Sequence, residues 1–305
     1  LYAVAVLIIT CPCALALAVP TVQVVASGRL FRRGVLLKSG AALERLALAD
    51  KVVFDKTGTL TQGKPELLSQ GTDPEVLELA ASMAANSKHP LSRALVRTVP
   101  AATPSSGVEE IPGRGLSLST PEGEIRLGRG AWCGGGATGS DLPELWLSRP
   151  GDVPYRFQFQ DKLRPDATEV IDSLVNQGLE PELLSGDRET VVSDVARNAG
   201  IDIWRAEALP ADKVARLEEL KAAGQYPLMV GDGLNDAPAL AAAWVSISPS
   251  TAADISQNAA DIVFQGECLQ PVVETLLTAR RADALVKQNI VFSFLYNTVT
   301  IPLAI

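Results

Sequence analysis

A short buried-strand pattern that ends in an acidic residue constrains the fold of this chain more than any other feature. Val52, Val53 and Phe54 form the apolar run, and Asp55 follows directly. Open α/β sheets hold their ligands at the carboxyl ends of the strands, so we expect Asp55 at such an edge. Residues 55–61 read Asp-Lys-Thr-Gly-Thr-Leu-Thr, and backbone N–H groups near the glycine can approach a phosphoryl group closely. The pattern predicts a carboxylate nucleophile that accepts phosphate, with an Asp that only caps a turn as the alternative.

Acidic residues recur after a second apolar run, at Asp232 and Asp236. Oxygen ligands from one or two carboxylates are what Mg²⁺ prefers beside phosphate and water. We therefore predict Asp55, Thr57 and Asp232 as magnesium ligands, with Asn235 and Asp236 in their surroundings.

Further candidate groups for holding a phosphoryl lie between these two segments. The Ser185 hydroxyl and the Gly186 N–H can donate to phosphoryl oxygens, and Lys213 offers a compact positive charge. Lys56 and Asp187 complete the candidate catalytic set. Each pattern taken alone is more often structural.

The heptapeptide resembles the phosphorylation motif of P-type ATPases at every position, and the other segments follow it in that family's order. The family more often carries Thr at the position of Ser185, and both residues supply a hydroxyl. The resemblance implies an α/β fold. It would be a haloacid-dehalogenase-like Rossmannoid phosphorylation domain with an inserted α+β nucleotide-binding domain, flanked by transmembrane helices. The resemblance also implies ATP and Mg²⁺ as cofactors.

The insert carries the candidate nucleotide-binding residues. His89 and Pro90 match the family's His-Pro motif, which contacts adenine, and the sequence places His89 at the end of an amphipathic helix that starts near Glu75. The glycines that resemble those near adenosine in the family are Gly113, Gly115 and Gly128. Relatives often have an acidic residue five positions before the histidine. Ala84 stands there in this chain, so adenine is expected to be recognised differently.

Residues 1–28 contain no charged residue and at helical rise would span roughly 40 Å, enough to cross a bilayer. We predict a membrane helix here. A signal peptide is the alternative, but the stretch has no basic start and is interrupted by Pro12 and Pro20. Arg29, Arg32 and Arg33 follow, which predicts that this end and the catalytic domain are cytoplasmic.

Two candidate groups for a transported metal lie in apolar segments. Cys11 and Cys13 flank Pro12 and offer soft ligands that suit Cu(I), and less exclusively Zn(II) or Cd(II). This Cys-Pro-Cys resembles that of heavy-metal-transporting P-type ATPases. Tyr296 and Asn297, in the apolar stretch 289–305, match the pair of the copper(I) branch. Ordinary buried thiols and interfacial anchors are the respective alternatives.

The sequence predicts six segments, and its charge excludes one class of partner. The segments are a membrane helix 1–28, a stalk 29–50, the phosphorylation domain 51–63 and 158–280, the nucleotide-binding domain 64–157, and a stalk with the start of a membrane helix 281–305. The net charge is −8 and no basic stripe occurs, which argues against nucleic acid as a partner.

The favoured interpretation is the catalytic and partial membrane portion of an ATP-driven copper(I)-exporting pump, without its actuator domain and most membrane helices. The resemblance implies copper(I) from a copper chaperone and membrane lipid as partners, in a bacterial inner membrane. Residues 245–250 further resemble a subgroup that supplies copper for cytochrome oxidase assembly. The alternatives are another P-type ATPase for Ag, Zn or Cd, a fragment that binds nucleotide or metal without turnover, and a soluble phosphatase of the same superfamily. Such a phosphatase would have an Asp where Thr57 stands.

Overall fold

The computed structural model describes residues 13–68, 73–136, 142–232, 236–250 and 258–304, with the backbone alone at 13–18 and 301–304. Its contacts divide the chain into two units. One unit consists of Leu1–Leu60 and Arg164–Ile305, and the other of Thr61–Leu163. The segment 64–157, predicted as the nucleotide-binding insert, lies inside the second unit.

The helices and strands are numbered here in chain order. The strands are β1 (Val35–Leu37), β2 (Lys51–Asp55), β3 (Glu66–Leu67), β4 (Val108–Ile111), β5 (Gly115–Thr120), β6 (Gly123–Gly128), β7 (Glu144–Ser148), β8 (Tyr155–Gln160), β9 (Glu180–Leu184), β10 (Ile203–Arg205), β11 (Pro227–Val230), β12 (Val245–Pro249) and β13 (Ile262–Phe264). The helices are α1 (Cys13–Phe31), α2 (Gly40–Ala47), α3 (Pro74–Ala84), α4 (Pro90–Thr98), α5 (Ala167–Asn176), α6 (Glu189–Ala199), α7 (Pro210–Ala222), α8 (Ala237–Ala242) and α9 (Gln270–Ala304).

The first unit is built on a seven-stranded sheet in the order β1-β13-β12-β11-β2-β9-β10. All neighbouring strands are parallel except β1, which pairs antiparallel with β13. Every residue of β2 is buried, as expected where a parallel sheet is covered on both faces. On one face, Val53 and Met229 pack with Leu217 and Leu240 from α7 and α8. The segment 29–50, predicted as a stalk, thus contributes β1 to this sheet.

The second unit is a six-stranded antiparallel sheet in the order β3-β8-β7-β6-β5-β4. Its core joins α3 and α4 to one face of the sheet, with Phe157, Phe159, Leu127 and Leu147 among the buried side chains. Ala84, at the end of α3, belongs to this core and is fully buried.

The position of His89 corrects the prediction that it ends a helix. Helix α3 ends at Ala84, and His89 is instead the N-cap of α4, where its Nδ1 accepts a hydrogen bond from the Leu91 N–H at 3.3 Å. Pro90 explains the difference, because proline lacks an N–H and is favoured at the first position of a helix.

Helices α1 and α9 pack against each other in the first unit. Arg33, just beyond α1, pairs with Glu274 near the start of α9 at 2.7 Å, while Thr21 and Leu285 line one groove between the helices. The two helices therefore run antiparallel. Both predicted membrane segments are helical where they are described, but no helix among the described residues is long and apolar enough to cross a membrane.

Candidate functional site

The carboxyl ends of three adjacent strands build the candidate site in the first unit. β2 lies between β11 and β9, with Phe54 opposite Val230 and Asp55 opposite Leu184. Ser185 directly follows β9, and Asp232 lies two residues beyond the end of β11. Both residues therefore lie at the same edge of the sheet as Asp55. This edge encloses a cavity of about 450 Å³ lined by Asp55, Thr57, Ser185, Gly186, Asp187, Lys213, Asp232 and Asp236, among others.

Lys213 joins two buried carboxylates at the base of the cavity. Its Nζ lies 2.5 Å from Asp55 Oδ1 and 2.7 Å from Asp236 Oδ1. All three side chains are buried. Lys213 reaches them from the first turn of α7, where Pro210 begins the helix and Asp212 Oδ2 accepts from the Leu209 N–H at 2.9 Å.

Burial and charge set the protonation of this group. Burial, with a smaller contribution from the charge of Asp236, raises the pKa of the Asp55 carboxyl to about 6, although the charge and hydrogen bond of Lys213 act in the opposite direction. Burial alone would lower the pKa of Lys213, but the charges of Asp55 and Asp236 outweigh it and the pKa is raised. Lys213 is therefore held as a cation.

A third carboxylate makes the cavity fit for a divalent cation. One oxygen from each of Asp55, Asp232 and Asp236 lies within 4.8 Å of the other two. Lys213 lies between two of these carboxylates, Asp55 and Asp236, and carries a single positive charge. Hard carboxylate oxygens are the ligands that Mg²⁺ takes. Asp55, Thr57 and Asp232 were the ligands predicted from the sequence, and the geometry adds Asp236.

Gly58 brings the loop after Asp55 against Asp232. Its φ is +71°, and a Cβ built there would lie 1.7 Å from Asp232 Oδ2. Only glycine allows both the backbone conformation and the close approach. Thr57, the preceding residue, is exposed at the cavity.

Arg164 fixes the same loop from behind, a role that sequence reasoning missed. Its guanidinium donates to the carbonyls of Thr59 at 2.7 Å, Gly58 at 2.6 Å and Glu267 at 2.6 Å. The Arg164 side chain is buried. The sequence signal was an Arg-Pro-Asp segment where the phosphorylation domain resumes, but its partners are backbone carbonyls, which no side-chain pattern reveals.

Lys56, Ser185 and Asp187 form a small network on the other side of the cavity. Lys56 Nζ pairs with Asp187 Oδ2, and the Asp187 N–H donates to Ser185 Oγ at 3.2 Å. The Ser185 hydroxyl is also 3.3 Å from Asp187 Oδ2. Asp187 thus orients both the lysine and the hydroxyl at the cavity wall.

The second unit contains its own cavity, of about 460 Å³, that gathers the predicted nucleotide-binding residues. His89, Gly113, Gly115 and Gly128 line it. Gly115 and Gly128 face each other in the sheet, and a Cβ on either would lie 2.2–2.3 Å from the opposite backbone carbonyl. The sheet itself therefore requires these two glycines, whereas Gly113 has open space and a φ of +76°.

The candidate metal-transport residues are not among those that line the Asp55 cavity. Cys11 is outside the described residues, and Cys13 is placed by its backbone at the start of α1. Asn235, predicted beside the magnesium site, is also outside the described residues. Tyr296 and Asn297 lie on α9, with Tyr296 half exposed.

The sequence matches a known protein family over more than half of the chain, including parts of both units. Residues 50–243 match the family model for haloacid dehalogenase-like hydrolases. The nitrogen fixation protein FixI of Rhizobium leguminosarum bv. viciae is 49% identical over 312 residues, covering 100% of this chain and 41% of the relative. The probable copper-transporting ATPase SynA of Synechococcus elongatus is 37% identical, covering 95% of this chain and 39% of the relative. The chain therefore spans about two fifths of the length of these curated relatives.

Solved structures agree with these matches. A zinc-transporting PIB-type ATPase in the E2.Pi state superposes with a TM-score of 0.82 at 30% identity, covering 97% of this chain and 51% of that structure. The catalytic domain of the CPx-ATPase CopB-B, described with its conformational changes on nucleotide binding, gives a TM-score of 0.70 at 30% identity and covers 82% of this chain and 98% of that domain. The chain belongs to the haloacid dehalogenase-like hydrolases and, within them, to the P-type ATPases.

Proposed function

We propose that Asp55 accepts the γ-phosphoryl group of ATP in the catalytic part of a metal-transporting pump. The single observation that carries this proposal is the buried Asp55 carboxylate, held by Lys213 at the carboxyl edge of the sheet beside Asp232 and Asp236. A carboxylate oxygen of Asp55 attacks the γ-phosphorus, the bond to the β,γ-bridging oxygen breaks, and ADP leaves with the electron pair.

The other residues of the cavity hold the transferring group. Lys213 balances negative charge beside Asp55. Ser185 and Gly186 line the cavity, and we propose that the Ser185 hydroxyl and the Gly186 N–H donate to phosphoryl oxygens. Asp55, Asp232 and Asp236 would hold Mg²⁺, which when bound neutralises charge on the phosphoryl oxygens. Thr57 is positioned at the mouth of the cavity, where it can contact the incoming phosphate.

The cavity of the second unit is the proposed ATP site. His89 with Pro90 starts helix α4 at its wall, and Gly113, Gly115 and Gly128 shape its floor. The CopB-B catalytic domain, which is described with nucleotide binding, supports this assignment.

We infer that the transported ion is soft and that copper(I) is the favoured cargo. The antiparallel packing of α1 and α9 supports this proposal. Arg33 pairs with Glu274, and Thr21 and Leu285 line the same groove, so an unchanged register along the helices would bring Cys13 to about the level of Phe294. That level is within one helical turn of Tyr296 and Asn297. SynA is named as a probable copper-transporting ATPase, whereas the PIB-type structure transports zinc, so zinc is the second candidate.

The same relatives support a proposal for where the protein is located in the cell. We propose that the full-length protein lies in a bacterial inner membrane, with its phosphorylation and nucleotide-binding domains in the cytoplasm. A copper chaperone as donor and membrane lipid as surroundings complete the proposed partners.

Labelling with ATP tests the proposal. Full-length protein incubated with γ-labelled ATP and Mg²⁺ should carry label that survives acid and is released by hydroxylamine. Asp232→Asn should lose Mg²⁺-dependent labelling while keeping nucleotide affinity, because the nucleotide cavity lies in the other unit. Parallel loss of labelling and nucleotide binding in Asp232→Asn would mean that this residue is structural and would refute its proposed role.

A further inference from the structure

The face of the sheet that α7 covers carries a buried ion pair that the proposed chemistry does not use. Glu182 on β9 accepts from Arg216 Nε at 2.9 Å and from Arg216 Nη2 at 3.0 Å. The Glu182 side chain is fully buried, and the Arg216 side chain is 19% exposed. Neither residue is among the described residues that line the Asp55 cavity. Any effect of this pair on the chemistry must therefore pass through another residue.

Apolar packing could have held α7 to the sheet at this point. Val53 is directly opposite Glu182 in the sheet, and it packs with Leu217 of α7. Replacing a buried ion pair by well-packed apolar side chains is often neutral or stabilising. A bidentate pair between arginine and a carboxylate adds something that apolar contacts lack, because its two parallel hydrogen bonds fix both distance and direction.

Lys213 and Arg216 attach α7 to the sheet at two successive levels. The two residues are three positions apart on the helix, so they lie on the same side, about 4.5 Å apart along its axis. On the sheet, Leu184 is opposite Asp55, and Glu182 lies two residues earlier on the same face, about 6.6 Å away. Lys213 therefore contacts the carboxyl edge, and Arg216 contacts the level behind it.

The place of Lys213 depends on where α7 lies along the strands. Its Nζ serves two carboxylates at once, with Asp55 Oδ1 at 2.5 Å and Asp236 Oδ1 at 2.7 Å. The lysine stem is flexible, and the apolar contacts of α7 are not directional. A misplacement of about 1 Å at a reacting group can cost on the order of a hundredfold in rate.

We propose that Glu182 and Arg216 are positioning residues for phosphorylation, because their ion pair sets the place of α7 on the sheet and so holds Lys213 Nζ against Asp55. Lys51 supports the pair, since its Nζ lies 3.2 Å from Glu182 Oε2 and favours the charged carboxylate. This inference rests on the proposed phosphorylation of Asp55.

The test compares three variants of the full-length protein. Arg216→Met removes the bidentate contact and keeps an apolar side chain, while Arg216→Lys keeps the charge but loses the fork. Leu220→Ala is the control, because Leu220 is buried on the same helix and its loss weakens the packing of α7 without removing either ion pair. The phosphorylation rate constant at saturating ATP is measured per folded molecule, together with the dissociation constant for ATP and the unfolding temperature.

We expect Arg216→Met to lower the phosphorylation rate constant by about tenfold or more. The dissociation constant for ATP should be unchanged, because the nucleotide cavity lies in the other unit. Arg216→Lys should recover part of the lost rate. Leu220→Ala should be less stable but should keep the rate constant of the unmodified protein.

Glu182→Gln tests whether the two residues act as a pair. It should also lower the rate constant, and the double variant with Arg216→Met should be no slower than Arg216→Met alone, because both changes remove the same contact. Rate losses that multiply in the double variant would contradict the pairing.

The remaining outcomes separate this inference from the proposed function. An unmodified rate in folded Arg216→Met overturns the inference, and so does an unmodified rate in Arg216→Lys if Arg216→Met does not fold. A loss of rate in Leu220→Ala equal to that in Arg216→Met also overturns it, since weakened packing of α7 would then be the cause. Absence of label on the unmodified protein would instead refute the proposed function.

Discussion

At the scale of single residues, Gly58 shows why the loop after Asp55 has its sequence. An alanine there would need a φ of +71° and would place its Cβ against the Asp232 carboxylate. We expect Gly58→Ala to abolish phosphorylation while leaving nucleotide affinity unchanged. Gly178→Ala is the matched control, because Gly178 has a φ of +81° but no atom within 4 Å of the added Cβ. If both variants lose labelling equally, backbone strain rather than contact with Asp232 would be the cause.

Glu182 is a second residue whose environment gives a test, away from the cavity. It is fully buried on β9 and accepts from Arg216 at 2.9 and 3.0 Å, with Lys51 at 3.2 Å. Burial opposes its ionisation, but the hydrogen bonds and charges of Arg216 and Lys51 outweigh burial and lower its pKa.

Because the pKa of Glu182 is lowered in the folded state, the free energy of unfolding depends on pH. A depressed carboxyl pKa stabilises the folded state above the unfolded-state pKa, near 4.3, and the contribution is lost as the pH falls through the folded value. Urea unfolding from pH 7 to pH 3 should show this loss. Glu182→Gln should be less stable at pH 7 by about 3 kcal/mol, because Arg216 and Lys51 lose their buried carboxylate and keep only the more exposed Glu219 and Glu180. Its free energy of unfolding should also vary less with pH. If the free energy of unfolding of Glu182→Gln falls as steeply between pH 7 and pH 3 as that of the unmodified protein, Glu182 is not the source of the pH dependence.

It was possible to predict from the sequence that Asp55, Asp232, Ser185 and Lys213 lie together. Each of them ends or follows a strand, or lies in the first turn of a helix, at one edge of the sheet. Two contributions were not predicted. Asp236 was expected beside the magnesium site rather than as a member of the carboxylate cluster, and Arg164 acts on backbone carbonyls. Contacts to the backbone leave no complementary residue in the sequence.

At the scale of elements, Arg164 ties the loop Lys56–Leu60 to the segment before α9. Arg164→Met would leave three carbonyls without this donor, and an unpaired buried polar group costs about 1–3 kcal/mol. We expect lower stability, faster hydrogen exchange in residues 56–60 and a large loss of phosphorylation. Arg45→Met is the control, because Arg45 also donates to a backbone carbonyl, that of Trp244, and pairs with Asp261, but it lies outside the cavity.

The two Arg variants separate stability from positioning. Arg45→Met should lose stability without a comparable loss of phosphorylation per folded molecule. Equal loss of phosphorylation in both variants would mean that Arg164 acts only through overall stability.

Buried strands with a continuous apolar run could be predicted from the sequence. The three-residue strand β1 and the start of helix α4 could not. Residues 52–54 of β2 and all of β11 are continuous apolar runs, which are typical of buried strands. β1 is three residues long, and its pairing with β13 joins positions far apart in sequence, so local pattern could not place it. The start of α4 at Pro90 was readable from proline chemistry, yet the long helical pattern before it obscured the boundary.

At the scale of the whole molecule, the antiparallel helices α1 and α9 belong to the same unit as Asp55. Cys13 on α1 and Tyr296 and Asn297 on α9 are proposed ligands of the transported metal. In the full-length protein, the double change Cys11→Ser with Cys13→Ser should eliminate stimulation of phosphorylation by Ag(I) or Cu(I), because a hydroxyl is a harder ligand. Nucleotide affinity should be unchanged. Turnover driven better by Zn(II) than by Ag(I) would contradict copper(I) as the cargo and leave phosphorylation at Asp55 in place.

The central claim is that Asp55 is phosphorylated, and the most direct measurement identifies the phosphorylated residue. Reduction of the acid-trapped phosphoprotein with borohydride converts an aspartyl phosphate to homoserine, and peptide mass spectrometry then locates the converted residue. We predict homoserine at position 55 after incubation with ATP and Mg²⁺, and unmodified aspartate at positions 232 and 236. Conversion at another carboxylate, or none at Asp55 in labelled protein, would contradict the account.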